Sequence, residues 1–329
     1  MDTRLNTKRI LIFLAFAVGI PWIAALVFYL TVGTDDLMMA GALANLVFIS
    51  TPMLANVATR LITREGWKRL WLRPNIRRGW RFYLAAWLLP LLAASIGGGI
   101  FFLFFPQSFG LNLSMAQQYF PNRFMATNPW VGMLVFALQI VFLYGLVRGG
   151  LLSIGEEFGW RAYLLPKLMT YFTGAESGSD PMEDPIQASR YAAGARKASL
   201  LIGVIWGVWH WPLLLIGMRA DPTMPLSFPL MYVVSTCAMS VLLCWATLRS
   251  GSVWPASIGH GMINHITLLV GALNKGPVMP LVGPTSGLIG SLGYIALALV
   301  VLLNRKAFTG EKKPTAPEMA QAVVTTSRG

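Results

Sequence analysis

Two adjacent glutamates, Glu156 and Glu157, lie in an otherwise apolar part of the chain and are followed by Arg161. Carboxylates are side chains that carry out acid–base chemistry or bind metal ions. Residues four apart share a helix face, so Glu157 can form an ion pair with Arg161, whereas Glu156 points about a quarter-turn away. The spacing therefore predicts that Glu157 is structural and that Glu156 is available for chemistry.

All three histidines of the chain, His210, His260 and His265, also lie within apolar segments. An ionisable side chain at the middle of a membrane costs roughly 2.5 to 3.5 kcal/mol, so such residues are candidates for function. His260 and Asn264 are four apart and share a helix face. His265 lies on a different face and is interpreted as a polar neighbour without a direct role.

The composition indicates an integral membrane protein. Of the 329 residues, 55% are hydrophobic and 12% are charged, against roughly 25% charged in soluble domains, and the mean hydropathy is +0.60. Apolar stretches of the roughly 20 residues needed to cross a bilayer recur along the chain, which excludes a single signal peptide or anchor. We predict an all-α, polytopic transmembrane helical bundle of about eight spans, at residues 9–30, 37–59, 82–105, 129–151, 197–217, 226–248, 253–274 and 286–304.

The basic residues predict the orientation in the membrane. The net charge of +13 would suit a nucleic-acid binder, but Lys and Arg concentrate between apolar runs, where the positive-inside rule expects them, so we predict no nucleic-acid partner. Residues 60–81 form a strongly basic interfacial segment. Within it we predict that the Trp-rich stretch 66–80 forms an interfacial helix that contacts inner-leaflet lipids, with a protein partner as the alternative. We expect a plasma-membrane protein in which both termini and a loop at 171–196 are cytoplasmic, and the acidic turn at Asp35 and Asp36 is external.

The same patterns suggest a division of the chain. We predict N-terminal transmembrane spans at 1–128, including the basic interfacial segment 60–81, a candidate core at 129–274, a last span within 275–307 and a disordered cytoplasmic tail at 308–329. In this topology Glu156, His210 and His260 can converge in the inner half of the membrane.

Three ordered motifs resemble those of the CAAX-protease and bacteriocin-processing (CPBP) family of intramembrane proteases, which includes the Ras-converting type prenyl-protein endoproteases. The motifs are Glu-Glu-x-x-x-Arg, an aromatic residue (usually Phe) followed by three positions and His, and His-x-x-x-Asn or Asp. The matching residues are Glu156, Glu157 and Arg161 for the first motif, Trp206 and His210 for the second, and His260 and Asn264 for the third. The resemblance covers about 129–270, with Trp206 in place of the usual Phe.

The resemblance implies hydrolysis of a peptide bond in a membrane-associated or lipidated protein or peptide. In one mechanism Glu156 takes a proton from water, His210 orients that water, and His260 with Asn264 stabilises the oxyanion. In the other, Glu156, His210 and His260 bind a divalent metal such as zinc. The alternative function is a non-catalytic membrane scaffold, a bacteriocin-immunity protein or a solute carrier that uses the same polar pocket.

Overall fold

The computed structural model describes residues 3–33, 36–112, 116–117, 128–174, 185–221, 224–277, 279–285, 287–304 and 306–309. Over these ranges the chain is mainly helical and contains no extended strand, which confirms the predicted all-α fold. The α-helices are α1 (Thr3–Thr31), α2 (Leu37–Leu43), α3 (Ile49–Ile62), α4 (Ile76–Phe104), α5 (Pro129–Leu138), α6 (Ile154–Gly159), α7 (Leu165–Thr173), α8 (Pro185–Trp209), α9 (Trp211–Ala220), α10 (Phe228–Ser250), α11 (Trp254–Ala272) and α12 (Leu288–Leu303). π-Helical segments at Ala44–Phe48, Gln139–Gly149 and Trp160–Leu164 and a short turn at Gly150–Leu152 connect several of them.

The predicted helical membrane bundle is confirmed, but fewer than eight of its helices are long and apolar enough to cross a membrane. Within the described ranges, six helical stretches could cross a membrane by length and composition: Thr3–Thr31, Gly41–Ile62, Ile76–Phe104, Pro129–Thr173, Ser189–Ala220 and Phe228–Ser250. The helix α12 is apolar but shorter. The helix α11 has 19 residues and contains two histidines and an asparagine, which lower its hydropathy. Each of the eight predicted spans therefore corresponds to a helix, and six of these meet the criterion.

The stretch 66–80 does not form the predicted interfacial helix, because residues 66–75 are irregular and residues 76–80 belong to α4. Helix α3 ends at Ile62 and α4 begins at Ile76, and the chain between them is irregular. Four residues there have φ between 48° and 60°, a left-handed conformation that interrupts a right-handed helix. These residues are Arg64, Arg69, Trp71 and Asn75. Seven basic side chains of segment 60–81 are nevertheless exposed: Arg64, Lys68, Arg69, Arg73, Arg77, Arg78 and Arg81.

Two further boundaries differ from the predictions. The expected loop at 171–196 is shorter, because α7 continues to Thr173 and α8 already begins at Pro185. Residues 175–184 of that loop, Asp35 of the acidic turn and residues 310–329 of the tail lie outside the described residues. The expected span 197–217 is interrupted at His210, between α8 and α9. Pro212 explains the interruption, because it has no N–H to donate to the preceding turn.

Several predicted cytoplasmic segments meet at one end of the bundle. Asn6 in α1 donates to the Lys167 carbonyl oxygen at 3.0 Å. Arg196 in α8 donates to the Leu302 carbonyl oxygen at 3.0 Å, near the end of α12. Such contacts put the start of α1 and the end of α12 next to the segments predicted to share their side. Which side of the membrane this end faces remains a prediction.

Glu65 lies at this end among basic side chains. Its carboxylate accepts hydrogen bonds from Lys167 and from the Tyr163 hydroxyl, and Arg9 Nε lies 3.4 Å from Glu65 Oε2. Burial raises the pKa of Glu65, but the hydrogen bond and charge of Lys167, together with Arg9 and Arg60, outweigh burial and hold that pKa below its usual value. The single acid of the basic segment is therefore used to join α1, α3 and α7.

Two glycines bring α6 against α3. A Cβ atom on Gly155 would lie 2.4 Å from the Ile49 carbonyl oxygen, and one on Gly159 would lie 2.5 Å from the Pro52 carbonyl oxygen. Glycine at positions four apart allows two helices in a membrane to approach to backbone contact. The helical turn that carries both glutamates is therefore positioned directly by the backbone of α3.

Candidate active site

Glu157 joins two parts of the site. Its Oε1 atom accepts a hydrogen bond from Arg161 Nη1 at 2.7 Å, so the predicted ion pair is present, and both side chains are fully buried. The same oxygen lies 2.8 Å from His260 Nδ1. A carboxylate at this distance accepts the Nδ1–H proton and leaves Nε2 as the free atom of the imidazole. Glu157 therefore orients His260 as well as Arg161.

Glu156 is held between α8 and α11. Its Oε2 atom accepts a hydrogen bond from Trp206 Nε1 at 2.9 Å. Its Oε1 atom lies 3.9 Å from His260 Nε2, which is too long for a direct hydrogen bond. One water molecule about 2.8 Å from both atoms would make an angle of roughly 90° between them. The pair therefore presents two acceptor atoms toward a site of the size of one water.

His210 lies where α8 ends and α9 begins. Its Nδ1 atom lies 2.8 Å from the Trp206 carbonyl oxygen, which can only accept, so Nδ1 carries the proton and Nε2 is left as an acceptor. The ring packs edge-on against Trp209 at 4.6 Å and against Tyr232 at 5.2 Å. Through Trp206, His210 is connected to Glu156.

Asn264 and His265 differ in where they lie. The Asn264 side chain is exposed one turn from His260, and no side chain of the described residues hydrogen-bonds to its amide. The structure therefore places Asn264 beside the cluster without joining it to the other members. His265 hydrogen-bonds to the Gly261 carbonyl oxygen at 2.8 Å and packs near Tyr144. It lies on a different helix face, as predicted.

The comparison with known families concerns the segment that carries these residues. Residues 137–266 match the family model described as type II CAAX prenyl endopeptidase, Rce1-like. The chain is therefore similar to that family over these residues, which we call the Rce1-like segment. The resemblance inferred from the three motifs is therefore confirmed.

A curated relative supports the same assignment. The chain is 24% identical to CAAX prenyl protease 2 of Methanococcus maripaludis over 157 residues, which are 46% of this chain and 47% of that protein. The match therefore spans about half the length of the curated relative.

Two contacts of the Rce1-like segment could not be predicted from its motifs. The contact of Glu157 with His260 joins residues 103 positions apart, and no spacing rule connects them. Tyr232, in α10, contacts His210, and its hydroxyl has no hydrogen-bond partner among the described residues. The feature of the sequence that could have indicated Tyr232 is its polar hydroxyl within an apolar span, but Tyr232 is not part of any of the three motifs.

The ion pair of the Rce1-like segment is not fully hydrogen-bonded. In the part of the chain that the structure describes, Glu157 Oε2 and the Nε and Nη2 atoms of Arg161 are buried without a hydrogen-bond partner. The Arg161 guanidinium also lies 4.9 Å from the centre of the Trp206 ring, a distance suited to a cation–π contact. Arg161 therefore depends mainly on Glu157 to balance its charge.

The residues expected to bind a metal do not form a metal-binding group. Among the described residues, no three or more His, Cys, Asp or Glu side chains are arranged to hold an ion. This includes Glu156, His210 and His260 in their present positions. Metal dependence therefore remains a prediction.

Proposed function

We propose that this protein is an intramembrane endopeptidase that hydrolyses a peptide bond in a membrane-associated or lipidated protein or peptide. The observation that carries the proposal is the buried pair of Glu156 Oε1 and His260 Nε2, 3.9 Å apart. Each partner is held from behind, Glu156 by Trp206 and His260 by Glu157. The Rce1-like match of residues 137–266 supports the same reaction class.

The geometry suits a carboxylate that activates water. A water bound between Glu156 Oε1 and His260 Nε2 transfers a proton to Glu156, and its oxygen attacks the carbonyl carbon of the scissile peptide. The tetrahedral intermediate then breaks its C–N bond, and the proton on Glu156 passes to the leaving amine. Low-dielectric surroundings strengthen each of these interactions.

Asn264 and His210 complete the proposal. The exposed amide of Asn264, one turn from His260, is free to donate a hydrogen bond to the oxyanion. His210 acts on the attacking water indirectly, because its hydrogen bond to the Trp206 carbonyl oxygen links it to the residue whose indole holds Glu156. These roles extend the sequence-based prediction and are supported by the exposure of Asn264 and by the hydrogen bonds of Trp206.

The substrate is proposed to carry a lipid group near the scissile bond. The family description refers to prenyl endopeptidases, and the relative is named a prenyl protease. A helical bundle in the bilayer receives a lipid-anchored peptide by diffusion in two dimensions, whereas an unlipidated peptide must first partition into the membrane.

The test uses the full-length protein in lipid nanodiscs with two fluorogenic peptides of the same sequence, one prenylated and one not. We expect the prenylated peptide to be cleaved faster, and Glu156→Gln to abolish cleavage while the protein remains folded, because an amide cannot accept the proton from water. Folding is followed by thermal unfolding and gel filtration. Undiminished cleavage by Glu156→Gln would contradict the proposal.

A chelator arm addresses the metal-dependent mechanism. A carboxylate-activated water predicts that cleavage survives prolonged treatment with a zinc chelator. Loss of cleavage on chelation, reversed by added zinc, would instead support the metal-dependent mechanism. Binding of both peptides without cleavage by the unmodified protein would favour the scaffold function.

A further inference from the structure

Trp206 contacts four charged or polar members of the buried cluster, Glu156, Arg161, His210 and His260. Its side chain is 2% exposed. Its indole Nε1–H donates to Glu156 Oε2 at 2.9 Å, and its backbone carbonyl accepts from His210 Nδ1–H at 2.8 Å. Its ring packs edge-on against His260, with centroids 4.9 Å apart, and lies 4.9 Å from the Arg161 guanidinium. A residue that served only to fill space would not need a donor aimed at a carboxylate.

We propose that Trp206 is a positioning residue, whose indole N–H holds Glu156 at the distance from His260 that a reacting water requires. The proposal rests on the proposed function, since it assigns Trp206 a role in the same reaction. It concerns the N–H group rather than the ring.

The two carboxylate oxygens of Glu156 have different neighbours. With Oε2 fixed by the indole, rotation of the carboxylate is restricted and Oε1 stays 3.9 Å from His260 Nε2. Without that donor, a buried carboxylate has lost a hydrogen bond that solvent cannot replace. The freed carboxylate would then rotate, and Oε1 would no longer be held 3.9 Å from His260 Nε2, so the space that fits one water would be lost.

The backbone of the same residue adds a second constraint. Because the Trp206 carbonyl fixes the His210 ring while the indole fixes Glu156, one residue sets the positions of two groups on different helices. A displacement of about 1 Å in such a geometry can cost on the order of 100-fold in rate.

The first experiment replaces Trp206 with Phe, which keeps an aromatic ring and removes the donor. We expect kcat on the prenylated peptide to fall about 10- to 100-fold with KM little changed. The matched control is Trp87→Phe, which removes an indole donor to the Val141 carbonyl oxygen away from the site and should leave kcat unchanged. An unchanged kcat for Trp206→Phe, or a change confined to KM, would overturn the proposal.

A second variant separates the donor from the volume of the side chain. Benzothienylalanine at position 206 has the shape of tryptophan with sulfur in place of N–H, so it removes only the hydrogen bond. We expect the same fall in kcat in a protein with normal thermal unfolding. Full activity of this variant would show that ring packing, and not the N–H group, is what matters.

A third measurement does not require turnover. A double-mutant cycle compares the effect of Trp206→benzothienylalanine on Tm in the natural background and in the Glu156→Leu background. We expect a decrease of a few degrees in the natural background and a much smaller one where the acceptor is missing. Equal decreases in both backgrounds would refute the positioning contact, whereas absence of cleavage by the natural protein would refute only the proposed function.

Discussion

Replacing Glu157 with Gln should destabilise the protein far more than the same change at Glu156. Glu157 and Arg161 are both fully buried and are joined at 2.7 Å, so Glu157→Gln leaves the Arg161 charge without its counter-ion. Removing one partner of a buried ion pair costs about 3 to 5 kcal/mol. At about 2 to 4 °C per kcal/mol, Tm should fall on the order of 10 °C. Glu156→Gln keeps an acceptor for Trp206, and its Tm should change by about 2 °C or less.

The double variant Glu157→Gln/Arg161→Met tests the cause of the instability. It removes both charges at similar volume and leaves no uncompensated buried charge, so most of the loss in Tm should be recovered. Activity should stay low, because His260 has lost the carboxylate that orients it. The assay is thermal unfolding in nanodiscs together with peptide cleavage. A single Glu157→Gln variant as stable as Glu156→Gln, or a double variant as unstable as the single one, would refute the reasoning.

Other predictions concern separate parts of the molecule. In steady-state cleavage, Asn264→Ala should lower kcat about 100- to 1,000-fold at similar KM, as expected for the loss of one oxyanion donor. His265→Ala should retain nearly full activity. Comparable losses in the two variants would mean that the register of α11 is misassigned. Gly159→Ala should lower both Tm and kcat, because its Cβ would lie 2.5 Å from the Pro52 carbonyl oxygen. Gly99→Ala, which has open space at its Cβ position, should change neither quantity. Equal effects of the two substitutions would contradict the close contact. The pKa of Glu65 is lowered in the folded protein, so the stabilisation that Glu65 provides is present above its unfolded pKa and is lost as pH falls through its folded pKa. The free energy of unfolding of Glu65→Gln should therefore depend less on pH between about 5 and 3 than that of the natural protein. An unchanged pH dependence would contradict this assignment.

Hydropathy alone was sufficient to predict the helices. Backbone groups in a bilayer must be hydrogen-bonded within the span, so a long apolar stretch that crosses the membrane has to be helical. The sequence also predicted the local pair of Glu157 with Arg161, since a helix fixes what lies four residues away. The contact of Glu157 with His260 depends on how α6 packs against α11, and no local pattern contains that information.

The errors have equally local causes. The stretch 66–80 has the Trp and Arg content of an interfacial helix, but composition does not distinguish a helix from an irregular chain at the same depth, and left-handed residues make its first part, 66–75, irregular. Pro212 indicated that the helix could break near His210. The span 197–217 was nevertheless predicted as continuous, because its hydropathy is high throughout. Gly155 and Gly159, which flank the glutamates, can be seen in the sequence to lie four residues apart. That they pack against α3 could be identified only from the structure.

The contact of those glycines with α3 determines what would count as a minimal catalytic fragment. A truncated protein comprising 129–274 would retain every motif residue and the Rce1-like segment, yet it would lack the carbonyl groups of Ile49 and Pro52 against which α6 packs. Such a fragment would keep the chemistry in its sequence while losing the surface that holds α6, and with it the distance between Glu156 and His260. Exchange of modules among such proteins is therefore constrained by backbone fit at two positions that contribute no side-chain chemistry at all.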